Sequence, residues 1–123
     1  MQIHRNLAAF AALNGALAVL IGAFAAHGAG PQVKSLLTTG SHYQMVHAVV
    51  ALVCAIWPGR ERLVVLAGWL ASAGGLVFCL ALSAIALLSL TAMGAIAPIG
   101  GVLMIAAWLL LLIAALRSQS TPA

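Results

Sequence analysis

The run LVVLAGWLASAGGLVFCLALSAIALL, Leu63 to Leu88, carries no charged residue from end to end. A helix crossing the hydrocarbon of a bilayer takes about 20 such residues, rising 1.5 Å each. This stretch therefore reads as a membrane span, and the rest of the chain is read in the same terms. Of 123 residues, 65% are hydrophobic in type and 5% are charged, whereas about a quarter of a water-soluble domain is charged. That content suffices for four spans with short connections, and leaves no room for a soluble domain.

Working outward, the first apolar run is Leu7 to Ala26, after His4, Arg5 and Asn6. Its basic start and small residues from Ala23 to Ala26 resemble a signal peptide, but it exceeds the 7 to 15 apolar residues of such a segment. A retained helix is expected. The gap GAGPQVKSLLTTGS, Gly28 to Ser41, reads as a loop. One short helix could start at Pro31, with Val33, Leu36 and Leu37 along the membrane interface. The second run, His42 to Trp57, stops at Pro58 and Gly59. Between the third and fourth runs, Gly94, Pro98, Gly100 and Gly101 lower helix propensity, marking a turn, a kink or a re-entrant segment. The predicted architecture is all-α: a single membrane domain over residues 1–123, with four antiparallel transmembrane helices at about 7–26, 42–57, 63–88 and 98–116.

The charges report orientation. Four spans put Arg5, Arg60, Arg62 and Arg117 on one side and Lys34 on the other. By the positive-inside rule both termini are cytoplasmic, which suits a multi-pass protein of a bacterial inner membrane. The basic residues are scattered rather than clustered, so the net charge of +4 points away from nucleic acid. Trp57, Trp69 and Trp108 are candidate interfacial residues, Trp57 the best anchor.

Lipid tails are as apolar as leucine, so spans associate through close backbone approach and polar contacts between helices. Small residues at helical spacing locate the seams: Ala8, Gly15 and Gly22 with Ala11 and Ala18 in span one, and Ala67, Ala71, Gly75 and Cys79 in span three. Span four offers Ala97 and Gly101. Cys54 and Cys79 lack any ligand spacing and read as small apolar fillers.

Polar groups inside lipid are costly and need a reason. No Asp, Glu, Lys or Arg lies within a span, and Glu61 sits in a turn. A proton-coupled exporter relying on a buried carboxylate is thereby disfavoured. Asn14, mid-span one, is expected to hydrogen-bond between helices. His27, His42, Tyr43, Gln44 and His47 gather at the outer end of spans one and two. Tyr43 and His47 share a helix face, and His47 lies about 7.5 Å below His42. Cys54 is about 10 Å from His47 along the helix, too far to share a metal. Imidazoles at one membrane face could bind a transition metal, clamp a haem or quinone head group, or line a lipid pocket. Alternatively they hydrogen-bond carbonyls freed where span one ends. No nucleophile with a base, phosphate loop or carboxylate pair is present.

Three motifs in order, GAFAAH at Gly22–His27, YQMVHA from Tyr43 through His47, and PIGG at Pro98–Gly101 followed by Trp108, resemble a known set. They are similar to the small inner-membrane family of unknown function typified by YgdD, which has eukaryotic relatives among small mitochondrial transmembrane proteins. The resemblance covers nearly the whole chain. It implies that His27, Tyr43, Gln44, His47, Pro98, Gly100 and Gly101 hold signature positions. Ala25 replaces a glycine of that pattern and Ala97 a threonine, while Phe78 to Ser83 stands where the family has FSGSLY.

The expected role is a non-enzymatic one, acting by association as a homo-oligomer or as an accessory subunit of a membrane complex, with membrane lipid as its other partner. The alternative is a ligand, lipid, haem or metal site built from His27, Tyr43, Gln44 and His47. Asn14, Gly15, Gly22, Gly75, Pro98, Gly100 and Gly101 are expected to be structural. No catalytic residue, resident metal or cofactor is expected.

Overall fold

The computed structural model describes residues 3–59 and 61–118. Four α-helices account for nearly all of them: α1 (Arg5–Gly28), α2 (Pro31–Ala55), α3 (Arg62–Leu88) and α4 (Ala97–Arg117), with a 3₁₀ turn over Thr91–Ala95 before α4. Three stretches are long and apolar enough to cross a membrane: Arg5–Gly28, Arg62–Leu88 and Thr91–Arg117. Arg60, one of the residues in the charge asymmetry, lies outside the described residues.

Glycines record how the helices run. A Cβ added at Gly15 would meet Ala48, and one at Gly22 would meet Ser41. Numbers rise along α1 as they fall along α2, so the two are antiparallel. The same holds between α2 and α3, where a Cβ at Gly40 would lie 3.2 Å from Cys79 Cα and one at Gly75 would lie 3.2 Å from Gln44 Cα. Gly74 faces Gly100 in the α3–α4 pair. Helix α3 touches all three others, packing chiefly between α2 and α4, while α1 packs mainly on α2. The buried set of α3 is correspondingly broad, including Val64, Ala67, Gly68, Ala71, Ser72, Gly74, Gly75 and Cys79.

The bundle end that gathers the start of α1, the end of α2, the start of α3 and the end of α4 has a core made largely of alanine: Leu7, Ala11, Ala51, Ala55, Ala67, Ala71, Ala107 and Ala114. Such residues let backbones approach closely, the source of cohesion where lipid competes for every apolar side chain. His4 ties this end together: its backbone N–H donates to Ala55 O at 2.8 Å, and its Nδ1 accepts from Leu7 N at 3.3 Å, capping α1.

One expectation is corrected. The segment from Gly28 to Ser41 is not a loop with a short interfacial helix; from Pro31 onward it is the first part of the continuous 25-residue α2. Pro31 suits a first helical position. Leu37, Gly40, Ser41 and Gln44 then extend one buried stripe toward Ala48, Ala51 and Cys54. Gly40 does not break the helix; it lies where α2 packs closely on α3. Between α3 and α4, Ser89 ends α3 in the left-handed region, at φ 55°, the 3₁₀ turn follows, and α4 starts at Ala97 with Pro98 in its first turn.

Candidate functional site

The continuity of α2 moves the polar cluster. In a helix of residues 31–55, Tyr43, Gln44 and His47 lie near the middle rather than at an outer end. Asn14, Ser72 and Trp108 also lie well inside α1, α3 and α4. These polar groups therefore form a layer near the middle of the bundle, where an unsatisfied buried group is costly.

That layer has two parts. In the first, three helices meet through Asn14, whose Nδ2 donates to Ser72 Oγ at 2.9 Å and to Phe10 O at 3.1 Å. Gln44 Nε2 donates to Asn14 Oδ1 at 2.9 Å. All three side chains are buried, and Gln44 Oε1 has no partner. The expectation that Asn14 bonds between helices is met twice. Its partner Ser72 was not singled out, although a serine inside an otherwise apolar run was the available signal.

The second part centres on His47. Its Nδ1 lies 2.7 Å from Tyr43 O, and Trp108 Nε1 donates to its Nε2 at 3.0 Å. An indole N–H can only donate, so Nε2 is the acceptor and the proton sits on Nδ1. The ring is neutral in this arrangement and both nitrogens are engaged. His47 thus bonds a backbone carbonyl, that of its own helix rather than one freed at a loop. Trp108, read from sequence as interfacial, lies mid-helix and joins α4 to α2.

The four proposed ligand residues do not converge. Tyr43 and His47 stack at 6.4 Å between centroids. Gln44 turns the other way, toward Asn14. His27 is exposed at the end of α1. Since Gly22 faces Ser41, His27 lies opposite about residue 36, roughly 16 Å along α2 from His47. Among the described residues, no group of three or more His, Cys, Asp or Glu could hold a metal ion.

What Tyr43 and His47 do line is a cleft of about 400 Å³ between α2 and α4, with Phe78, Gly101, Met104 and Trp108. Phe78 meets Tyr43 edge-on at 5.3 Å. Two glycines diverge here. Gly100 is the seam: a Cβ there would lie 2.6 Å from Phe78 N and 2.7 Å from Gly74 O. Gly101, paired with Ala97 in the expected seam, instead opens on the cleft, and a Cβ there would meet nothing within 4 Å. Tyr43 and Trp108 are 47% and 49% exposed, and the Tyr43 hydroxyl bonds no described residue.

The UPF0382 membrane protein of Staphylococcus epidermidis (strain ATCC 12228 / FDA PCI 1200) is 40% identical over 111 residues, 86% of this chain and 91% of that protein. UPF0382 membrane protein SAB0533 of Staphylococcus aureus (strain bovine RF122 / ET3-1) is 37% identical over the same shares. No solved structure matches the chain. Residues 21–101, holding α2, α3 and the polar layer they contribute, match the model of a family described as protein of unknown function (DUF423), and the chain belongs to that family.

Proposed function

We propose that this is a four-span, non-enzymatic inner-membrane protein, both termini cytoplasmic, that acts by pairing with a second copy of itself through the cleft between α2 and α4. The antiparallel register supports the reading of four spans. Helices α1 and α3 run the same way, so if both cross the bilayer, α2 between them crosses too, and its 25 residues reach about 37 Å. Of its polar side chains, Ser41, Gln44 and His47 are buried against the neighbouring helices, while Gln32, Lys34, Ser35, Thr38, Thr39 and His42 are exposed. The asymmetry of Arg5, Arg62 and Arg117 against Lys34 supports the orientation, and the motif likeness to the inner-membrane family typified by YgdD supports the location.

The observation that carries pairing is Gly101. A glycine inside a helix costs about 1 kcal/mol relative to alanine, and at Gly101, in the second turn of α4, no packing among the described residues requires it. A neighbouring helix approaching the cleft would require it. The unpaired Tyr43 hydroxyl beside it adds a polar group at mid-depth that a second chain can satisfy. Closed two-fold pairs are the commonest oligomers. The metal or haem form of the ligand alternative is disfavoured, because Trp108 occupies the Nε2 lone pair of His47; a lipid in the cleft is an outcome of the test.

Native mass measurement after extraction in mild detergent is that test. The wild type is expected to be dimeric, and Gly101→Leu monomeric with unchanged helical content. A wild-type monomer carrying only lipid, or a dimer unaffected by Gly101→Leu, overturns the reading.

A further inference from the structure

A second cleft lies at the end of the bundle holding the start of α1 and the start of α3. It has a volume of about 440 Å³ and is lined by His4, Arg62, Val65, Leu66 and Trp69. The residues from α3 fall at positions 0, 3, 4 and 7 of a helix, hence on one face. That face is graded: Arg62 stands at the helix end, Val65 and Leu66 come next, and the Trp69 ring lies about 10 Å deeper. Leu66 is 48% exposed, so the strip faces the bilayer rather than another helix.

The polar groups at the mouth are donors. Arg62 is exposed and presents a guanidinium whose fork matches phosphate oxygens. His4 Nδ1 takes the Leu7 N–H, which leaves the proton on Nε2 and makes that atom the ring's remaining donor. Glu61, the acid beside Arg62, does not line the cleft. Trp69 is held by stacking on Phe10, with centroids 5.5 Å apart, and by an edge contact with His4 at 6.2 Å. A cation and an imidazole donor at the membrane surface, above an apolar wall ending in a fixed indole, match the polarity of an amphiphile with an anionic head and an acyl tail.

We infer that this cleft binds one phospholipid of net negative headgroup charge, its phosphate on Arg62 and His4 and its acyl chain along Val65, Leu66 and Trp69. The inference requires only that this end of the bundle sit at a membrane surface. It is independent of the pairing through α2 and α4, since none of these residues lines that cleft.

Trp69 supplies its own probe. The full chain is reconstituted in phosphatidylcholine vesicles holding a minor fraction of either phosphatidylglycerol or phosphatidylcholine brominated on its acyl chains, and tryptophan quenching is followed. One basic contact near the surface corresponds to about a fivefold preference, so brominated phosphatidylglycerol is expected to quench at about one fifth the mole fraction. Arg62→Gln should abolish the preference, and Trp69→Phe should abolish the preferential component, leaving Trp57 and Trp108 quenched equally by both lipids. Circular dichroism confirms that each variant is folded. Equal quenching of the wild type by both lipids, a preference that survives Arg62→Gln, or one that survives Trp69→Phe overturns the inference.

Discussion

Adjacent glycines in α4 give opposite expectations for one substitution. In Gly100→Ala the new methyl lies 2.6 Å from Phe78 N, 2.7 Å from Gly74 O and 3.0 Å from Phe78 Cα. All three atoms are backbone and cannot swing away, so α3 and α4 must separate by several tenths of an ångström to reach ordinary contact. Overpacking of this kind costs about 1–3 kcal/mol, and alanine returns about 1 kcal/mol of helix propensity. Backbone atoms this close put the case at the upper end of that range, so the net expectation is a loss of about 2 kcal/mol. Gly101→Ala meets open space, so within a single chain it is neutral or stabilising by up to about 1 kcal/mol. Reversible unfolding in mixed detergent and dodecyl sulfate micelles, followed by circular dichroism, measures both, at a detergent ratio that keeps the chain monomeric. A neutral Gly100→Ala, or a Gly101→Ala as damaging as its neighbour, would refute the assignment of seam and open face.

Other expectations concern the polar layer and the topology. Asn14→Leu strands both Gln44 Nε2 and Ser72 Oγ and should cost about 1–3 kcal/mol, whereas Ser72→Ala removes one contact worth about 0.6 kcal/mol; the same unfolding assay ranks them. Gln44→Met removes one bond together with the orphaned Oε1, so it should be milder than Asn14→Leu. Trp108→Phe frees His47 Nε2 while preserving the ring, and should lower stability by about 0.6 kcal/mol. In Cys54→Ala/Cys79→Ala protein within intact cells, a membrane-impermeant maleimide should label Lys34→Cys and spare Arg117→Cys.

Much of the helical plan was legible because hydrocarbon imposes it: charge-free runs as long as Leu63 to Leu88 have few alternatives. The seams of α1 and α3 were legible for a related reason, since Ala11, Ala18, Ala67 and Ala71 are small at helical spacing and are indeed buried. Helix α2 was misread through composition. Gly40 and Ser41 resemble a loop in sequence, and their helical role is set by the close approach of Cys79 on α3 and Gly22 on α1. A start at Pro31 rather than His42 places Tyr43, Gln44 and His47 in the middle of α2 instead of at its end. The contacts of His47 with Trp108 and of Asn14 with Ser72 were illegible because no local spacing relates residues that far apart in sequence; only the register of packed helices does. Gly100 and Gly101 differ by one step around α4, and their opposite surroundings depend on where α3 lies.

Pairing through the α2–α4 cleft is tested most directly by oxidative cross-linking in native membranes, in protein with Cys54 and Cys79 replaced by alanine. Ile105→Cys, which lines the cleft and is 60% exposed, should yield a disulfide-linked dimer, and Leu13→Cys on α1, 67% exposed, should remain monomeric. Monomer from both variants, or dimer from both alike, would contradict the account.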